Sequence, residues 1–394
     1  MGREAQSPCV RPFRGGERPQ ANEHQPSAHQ SNDAVGVEPR TTSGLPVAVL
    51  PRPLNGLSEL ADSLHCVARA TGIGSLPGTD ISEALRGVRE VLGDGHLPYL
   101  PELPARGPGA DMVGRAAGLL VDLHVDLQPG GWRFVDRAGR DSARAAAWWR
   151  QDLDELAEVF DGYEGDLKVQ VAGPWTLAAG IELNRGEKSL ADAGALRDLV
   201  GSLAEGVRLH VAEVQRLVPG AGIVVQLDEP SLPAVLAGRL PTASGYGHLR
   251  AVDPQTAMNG LRDVLAAAPE GTATVVHCCD PGIPLPLLRA AGVGAVALDV
   301  TALSPARWES IAATVEEGVA LHAGCLPTDG TGTVRAASDV VVRGWTDAGL
   351  SPRDLAALTA TPACGLAGLT PEGAWRVHRA AVDVAAEWSE RAES

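Results

Sequence analysis

Lysine is nearly absent from this chain: Lys168 and Lys188 are its two examples, and 31 of the 33 basic residues are Arg. With abundant Ala and Gly, the skew reads as GC-rich coding bias and carries no functional message. Positive charge is short overall. Asp and Glu number 49, and the formal net charge is −16. So acidic a balance argues against nucleic acid or an anionic membrane surface as the main partner, since both need a basic face. Aromatic residues are few, 14 in 394, so a core must be built from Ala, Val and Leu. No apolar run approaches the roughly 18–20 residues of a membrane-crossing helix. No charged-then-apolar leader opens the sequence. Six cysteines, at 9, 66, 278, 279, 325 and 364, are too scattered in a large acidic chain to be a disulfide scaffold. The expected compartment is the reducing cytoplasm, where Cys near His is read as metal or nucleophile chemistry.

Residues 1–55 hold eight Pro, many Ser, Gln and Arg, and no hydrophobic period beyond Val47–Leu50. They cannot bury enough apolar surface to offset the entropy of ordering. Residues 1–60 are therefore expected to be a disordered head, or a stretch upstream of the true start. Residues 61–394 are expected to fold as one domain.

From Cys66 onward a beat appears: a short apolar run, a turn, a longer helical pattern. The runs are Val67–Ile73, His96–Leu100, Leu167–Val171, Gly222–Leu227, Ala273–Val276, Ala295–Leu298, Val319–Leu321 and Leu355–Ala360. Helical periodicity follows, as in Ile81–Leu92, Pro254–Ala268 and Pro371–Glu390. Eight strand–helix units over about 330 residues predict an α/β fold, a (β/α)8 TIM barrel. A doubly wound open sheet shares the local beat and is the alternative. Gly131–Trp132–Arg133 and a helix over Ser142–Phe160 mark an insertion after the second strand.

In a parallel barrel, chemistry sits at the carboxyl ends of the strands. In order, the apolar runs are followed by Gly74-Ser75-Leu76-Pro77, Pro101-Glu102-Leu103-Pro104, Gly173-Pro174-Trp175-Thr176, Asp228-Glu229-Pro230, His277-Cys278-Cys279, Asp299, His322 and Thr361-Pro362-Ala363-Cys364-Gly365. Each has a bland reading. Ser75 fits an ordinary turn, Glu102 a solvated loop, and Asp228-Glu229 or Asp299 a helix N-cap. Cys278 and Cys325 read as small buried hydrophobes. The bland readings weaken together, because one face collects them all.

His277-x-Cys279 puts two ligand-type side chains on the same side of an extended segment. Imidazole and thiolate suit zinc. Cys364 could add a second thiolate and Asp299 a carboxylate, completing a tetrahedron from three strands.

These residues also carry a resemblance. Ile73-Gly74-Ser75-Leu76-Pro77, Val171-Ala172-Gly173-Pro174-Trp175-Thr176, Val225-Gln226-Leu227-Asp228-Glu229-Pro230-Ser231-Leu232, Val276-His277-Cys278-Cys279 and Pro362-Ala363-Cys364-Gly365-Leu366 resemble the catalytic, carboxyl-terminal half of cobalamin-independent methionine synthase. That family shares a superfamily with uroporphyrinogen decarboxylase-like barrels. The Gly-Pro-x-Thr stretch is common to both branches. His-x-Cys with the late Pro-x-Cys-Gly-Leu belongs to the metal-using branch. The resemblance implies a zinc-dependent transfer of a methyl group to homocysteine. His277, Cys279 and Cys364 match zinc ligands, and Asp299 stands where the family has Glu. Asp228 matches the carboxylate that holds the homocysteine ammonium, and Ser75 the turn that holds its carboxylate. Glu102 lies in the region of a second ammonium-binding carboxylate, with a longer spacing to Asp111-Met112-Val113. His322, after a one-residue gap, matches the reaction's acid. The amino-terminal barrel that helps the full-length enzyme hold polyglutamylated folate has no counterpart here, so the expectation is a core form whose methyl donor is a methyl-corrinoid, 5-methyltetrahydrofolate or another compound. The alternatives are the same chemistry on another thiol, a decarboxylase-like barrel, and a zinc-stabilised barrel used for interaction or metal storage.

Overall fold

The computed structural model describes residues 67–394; the expectation for residues 1–60, with Cys9 and Cys66, lies outside the described residues. In chain order the strands are β1 (Arg69–Ala70), β2 (His124–Gln128), β3 (Gly131–Val135), β4 (Gly165–Ala172), β5 (Ala221–Asp228), β6 (Ala273–His277), β7 (Ala295–Asp299), β8 (Ala320–Leu326) and β9 (Thr359–Pro362). Seven of them form one parallel sheet, in the order β1-β9-β8-β7-β6-β5-β4. From β4 to β9, spatial neighbours are also chain neighbours with helices between them. This is a curled α/β sheet consistent with a TIM-like barrel.

The helices form where local chemistry starts them. In Ile81–Leu92, the Asp80 carboxylate accepts from the Glu83 N–H at 3.0 Å. Ile81, Ala84, Leu85, Val88 and Leu92 make its buried stripe at helical spacing. The sheet-facing sides of the helices meet alternate strand residues such as Leu167, Val169 and Val171 in the main core. The other face of the strands carries a small separate apolar cluster of Ile73, Leu97, Val224, Val275, Ala295 and Ala297. Period-2 alternation therefore gives the sheet an inner face whose floor is apolar and whose upper positions are polar. Among the described residues, no helix is long and apolar enough to cross a membrane.

Three strand expectations shift. His96–Leu100 is no regular strand, because Pro98 and Pro101 lack the N–H groups a ladder needs. It still runs between β1 and β4: Leu97 N donates to Ala70 O, Lys168 N to Pro98 O, and Leu100 N to Lys168 O, each at 2.9 Å. The last strand begins at Thr359 rather than Leu355, since Ser351 and Pro352 start a 3-10 turn over Pro352–Ala357. The strand expected at Val319–Leu321 extends to Leu326, so His322 lies inside β8 and not at its end. Between the His96–Leu100 stretch and β4, β2 and β3 pair as an antiparallel hairpin, followed by the helix Arg140–Val159.

Candidate active site

His277 closes β6, Cys279 lies two residues beyond it, and Cys364 lies two residues beyond β9. Their ligand atoms all fall within 4.8 Å of one another, and the two sulfurs approach to 3.4 Å. The Cys364 turn is seated on the turn after β1. Leu366 N donates to Ser75 O at 2.9 Å, and a Cβ at Gly365 would collide with the Ser75 hydroxyl. Glycine at 365 thus lets the turn pack directly on the Ser75 side chain, which a Cβ would force to move.

His277 is oriented from behind. Its Nδ1 meets Asp228 Oδ1 at 2.8 Å. Its Nε2 is buried and has no hydrogen-bond partner among the described residues. An Nδ1–H donated to a carboxylate leaves Nε2 as the ring atom that would ligate a metal, the arrangement of a metal-ligating histidine. Burial opposes charge on this ring, but the hydrogen bond and charge of Asp228, helped by the nearby Cys364 sulfur, raise its pKa to about 9, so without a metal the ring carries a proton at Nε2 that a bound metal would replace. The Cys364 thiol is pushed up by its hydrogen bond to Cys279 and by burial. Two sulfurs and an unpartnered imidazole nitrogen form a donor set that fits zinc.

Asp299 is not part of this cluster. It ends β7, where its Oδ1 accepts from Thr301 N at 2.8 Å and Thr301 Oγ1 at 2.6 Å. Cys278 and Cys325 are buried packing residues. Burial pushes both thiols up to about 12.

Ser75 and Glu102 form a parallel bridge, with Leu76 N donating to Glu102 O at 2.9 Å and Glu102 N to Gly74 O at 3.0 Å. The Glu102 carboxyl is buried. Desolvation raises its pKa to about 7 against the pull of Arg115, and Asp228 adds to the rise. Ser75, Glu102 and Asp228 therefore stand around the inner mouth, with Asp228 already joined to the metal-type cluster.

His322 sits lower. It registers with Thr359, the first residue of β9, which registers with Arg69 at the start of β1. Burial first, then Lys168 and Arg69, holds its pKa at about 3, so the ring is neutral at pH 7. Its Nδ1 is buried and unpartnered among the described residues.

Glu229 is no N-cap of its own helix. Trp175 N donates to its Oε1 at 2.9 Å, and Thr176 N and Oγ1 donate to its Oε2 at 2.8 Å. It closes the N-terminus of the helix Pro174–Gly180 from the end of the neighbouring strand β5, and a Cβ at Gly173 would strike it. Desolvation lifts its pKa to about 8.

Sequence reasoning passed over Lys168 and Gln226. Lys168 is wholly buried; its Nζ donates to Gly72 O at 2.5 Å, Ile73 O at 2.9 Å and Gln226 Oε1 at 2.6 Å. Burial lowers its pKa to about 7, resisted by Asp228 and Glu102. The signal was present: Lys168 and Gln170 alternate with apolar neighbours in one strand, so both face inward.

The sequence profile of the family described as "Cobalamin-independent synthase, Catalytic domain" matches residues 68–387. The chain belongs to this family. It is a methyltransferase domain of the methionine synthase kind, and the resemblance read from its strand ends holds over nearly all the described residues. Among solved structures, this cobalamin-independent synthase domain is similar to a B12-independent methionine synthase from Shewanella sp. W3-18-1 in complex with selenomethionine. The identity is 13%, the coverage 81% of this chain and 97% of that one, and the TM-score 0.53. It is also similar to a methyltransferase from Methanosarcina mazei, at 13% identity, 85% and 95% coverage and a TM-score of 0.51. At such identities these likenesses speak for the fold. No curated protein matches the chain.

Proposed function

We propose that this synthase domain is a zinc-dependent homocysteine methyltransferase that makes methionine. The supporting observation is the buried, unpartnered Nε2 of His277 beside Cys279 and Cys364. His277, Cys279 and Cys364 would hold the metal. Asp299 would join them only by turning away from Thr301. When bound, zinc supplies the Lewis acidity that makes a coordinated thiol nucleophilic at neutral pH. Asp228 holds the His277 ring in its ligating tautomer and, with Glu102, offers negative charge to the substrate ammonium. The Ser75 turn receives the substrate carboxylate. His322 is the candidate acid for the departing methyl carrier; its ring is neutral at pH 7, so its unpartnered Nδ1 would first take up the proton that it then passes on.

In this reading Leu97–Glu102 is the eighth stave, closing the sheet between β1 and β4 and delivering Glu102 to the mouth. The proposed setting is the cytoplasm, where the site thiols stay reduced. A donor without a polyanionic tail is favoured, such as a methyl-corrinoid. Lys168 is buried inside, Lys188 pairs with Glu182, and the net charge is −16.

The test is X-ray absorption at the metal edge of the zinc-loaded protein with and without homocysteine. An added sulfur in the metal shell is the expected result. A shell unchanged at saturating homocysteine refutes the reading of the acceptor.

A further inference from the structure

The Lys168 ammonium lies below the mouth, where oxygens from three places converge. Two are the carbonyls of Gly72 and Ile73, immediately before the Gly74-Ser75 turn; the third is Gln226 Oε1. Gln226 turns its amide the other way, donating from Nε2 to Ile73 O at 2.9 Å and to Asp228 Oδ1 at 2.8 Å. One continuous polar brace therefore runs from the backbone that leads into Ser75 to the carboxylate of Asp228.

The residue type supports a specific role. This chain supplies Arg as its default cation, yet position 168 is Lys. Three acceptors converging on one point match the three N–H groups of an ammonium, not the flat fork of a guanidinium. A residue needed only to fill the inner face could have been apolar, as Val224 is on β5 directly beside it and Val275 on β6 beyond.

We propose that Lys168, acting through Gln226, is a positioning residue that fixes the distance between the Ser75 turn and Asp228, and so selects a thiol bearing both an ammonium and a carboxylate on one carbon. This rests on the reading of homocysteine as acceptor. Ser75 and Asp228 touch the substrate's two charged groups; Lys168 and Gln226 touch neither, and hold the two recognising elements in register.

The test is calorimetric binding to the zinc-loaded full chain of three thiols: homocysteine, mercaptobutyrate (no ammonium) and mercaptopropylamine (no carboxylate). The wild-type protein is expected to prefer homocysteine to both. Lys168→Met and Gln226→Glu are expected to shrink that preference by about tenfold or more, as a misplaced charge-assisted hydrogen bond would. Affinity for the two truncated thiols should stay within about twofold in both variants, because each makes only one end contact. Gln226→Glu keeps an oxygen for Lys168 while losing both amide donations, so it remains informative where Lys168→Met fails to fold. A folded variant that keeps the wild-type preference overturns the proposal. Unfolding of every variant also overturns it, since the brace would then serve folding and not recognition. A wild-type protein that binds all three thiols equally fails at the acceptor reading instead, which is a separate outcome.

Discussion

Cys278 and Cys279 are adjacent in sequence and opposite in surroundings. On an extended segment successive side chains point to opposite faces. Cys278 is fully buried in the main core, while Cys279 joins His277 and Cys364. Cys279→Ser and Cys364→Ser should each lose most zinc after dialysis, and Cys278→Ser should keep it; equal loss from all three would mean the cluster is not the metal site. Asp299→Ala assayed alongside decides whether its carboxylate belongs to the shell. Asp228 carries two duties, because its Oδ1 also meets His277 Nδ1. Asp228→Asn should weaken homocysteine binding by about 1.5–3 kcal/mol, roughly 10- to 150-fold. It should also lower zinc affinity by about 10- to 100-fold through the lost support of the His277 ring. Titrations with metal and with thiol separate the two effects. Intact zinc affinity would show that His277 needs no carboxylate behind it.

At the scale of elements, the insertion is tied to the mouth by a buried charge cluster. Asp152, on the helix Arg140–Val159, accepts from Arg106 at 2.6 and 2.9 Å and from Arg115. Arg115 stacks on Trp149 and lies 4.0 Å from Glu102. Asp152→Ala leaves two buried guanidinium groups without their carboxylate and should cost about 3–5 kcal/mol in denaturant unfolding. A loss under about 1 kcal/mol would mean that water or another acid replaces it. The amphipathic helices and most strand positions were legible in sequence because their signal is local: Ile81–Leu92 shows its cap and buried stripe in a dozen residues. The His277, Cys279 and Cys364 set was legible because ligand types at strand ends are rare. What was not legible came from distance. The prolines around Tyr99 weaken a strand that long-range pairing still holds in place. Asp299 is claimed by Thr301, two residues away, a choice between partners that spacing does not express. His322 looked terminal because β8 continues through Ala323, Gly324 and Cys325, small residues that read as a turn.

Over the whole molecule, opposed sets of buried titratable groups shape stability. His210 and His322 are held at about 3 and His378 at about 4, chiefly by burial, so unfolding takes up protons at these sites once the pH falls below about 6.5. Their contribution is complete above that pH and is lost as pH drops through the folded values. Glu102 and Glu229, raised to about 7 and 8 by burial, run the other way. Their contribution is complete below about 4.5 and is lost as pH rises through the folded values. Between about pH 4.5 and 6.5 three histidines outweigh two carboxyls; above it the carboxyls and His277, raised to about 9, lower stability, and from about pH 7 upward Lys168, lowered to about 7, opposes them. Urea midpoints of the metal-free protein should therefore peak near about pH 6.5, each titrating group changing the slope by up to about 1.4 kcal/mol per pH unit. Midpoints still rising between about pH 6.5 and 7, below the range where Lys168 acts, would show Glu102 and Glu229 ionised in the fold. The same distribution of charge bears on the donor. With homocysteine as acceptor, a methyl-corrinoid should turn over and a polyglutamylated methylfolate should not; the reverse, followed by methionine formed, would require a cationic groove that the net charge of −16 disfavours.

The seating of the Cys364 turn on the Ser75 turn joins places 289 residues apart in the chain. During synthesis, His277 and Cys279 leave the ribosome well before Cys364, and until it follows they are two ligands without a third. On the proposed reading, a nascent or prematurely ended polypeptide would thus have little hold on zinc, and the Ser75 turn, though paired with Glu102, would lack its contact with the Cys364 turn. Metal capture by the proposed site would then wait until the final strand docks beside the first, so an incomplete copy would neither compete for the cell's zinc nor present a half-built site to thiols.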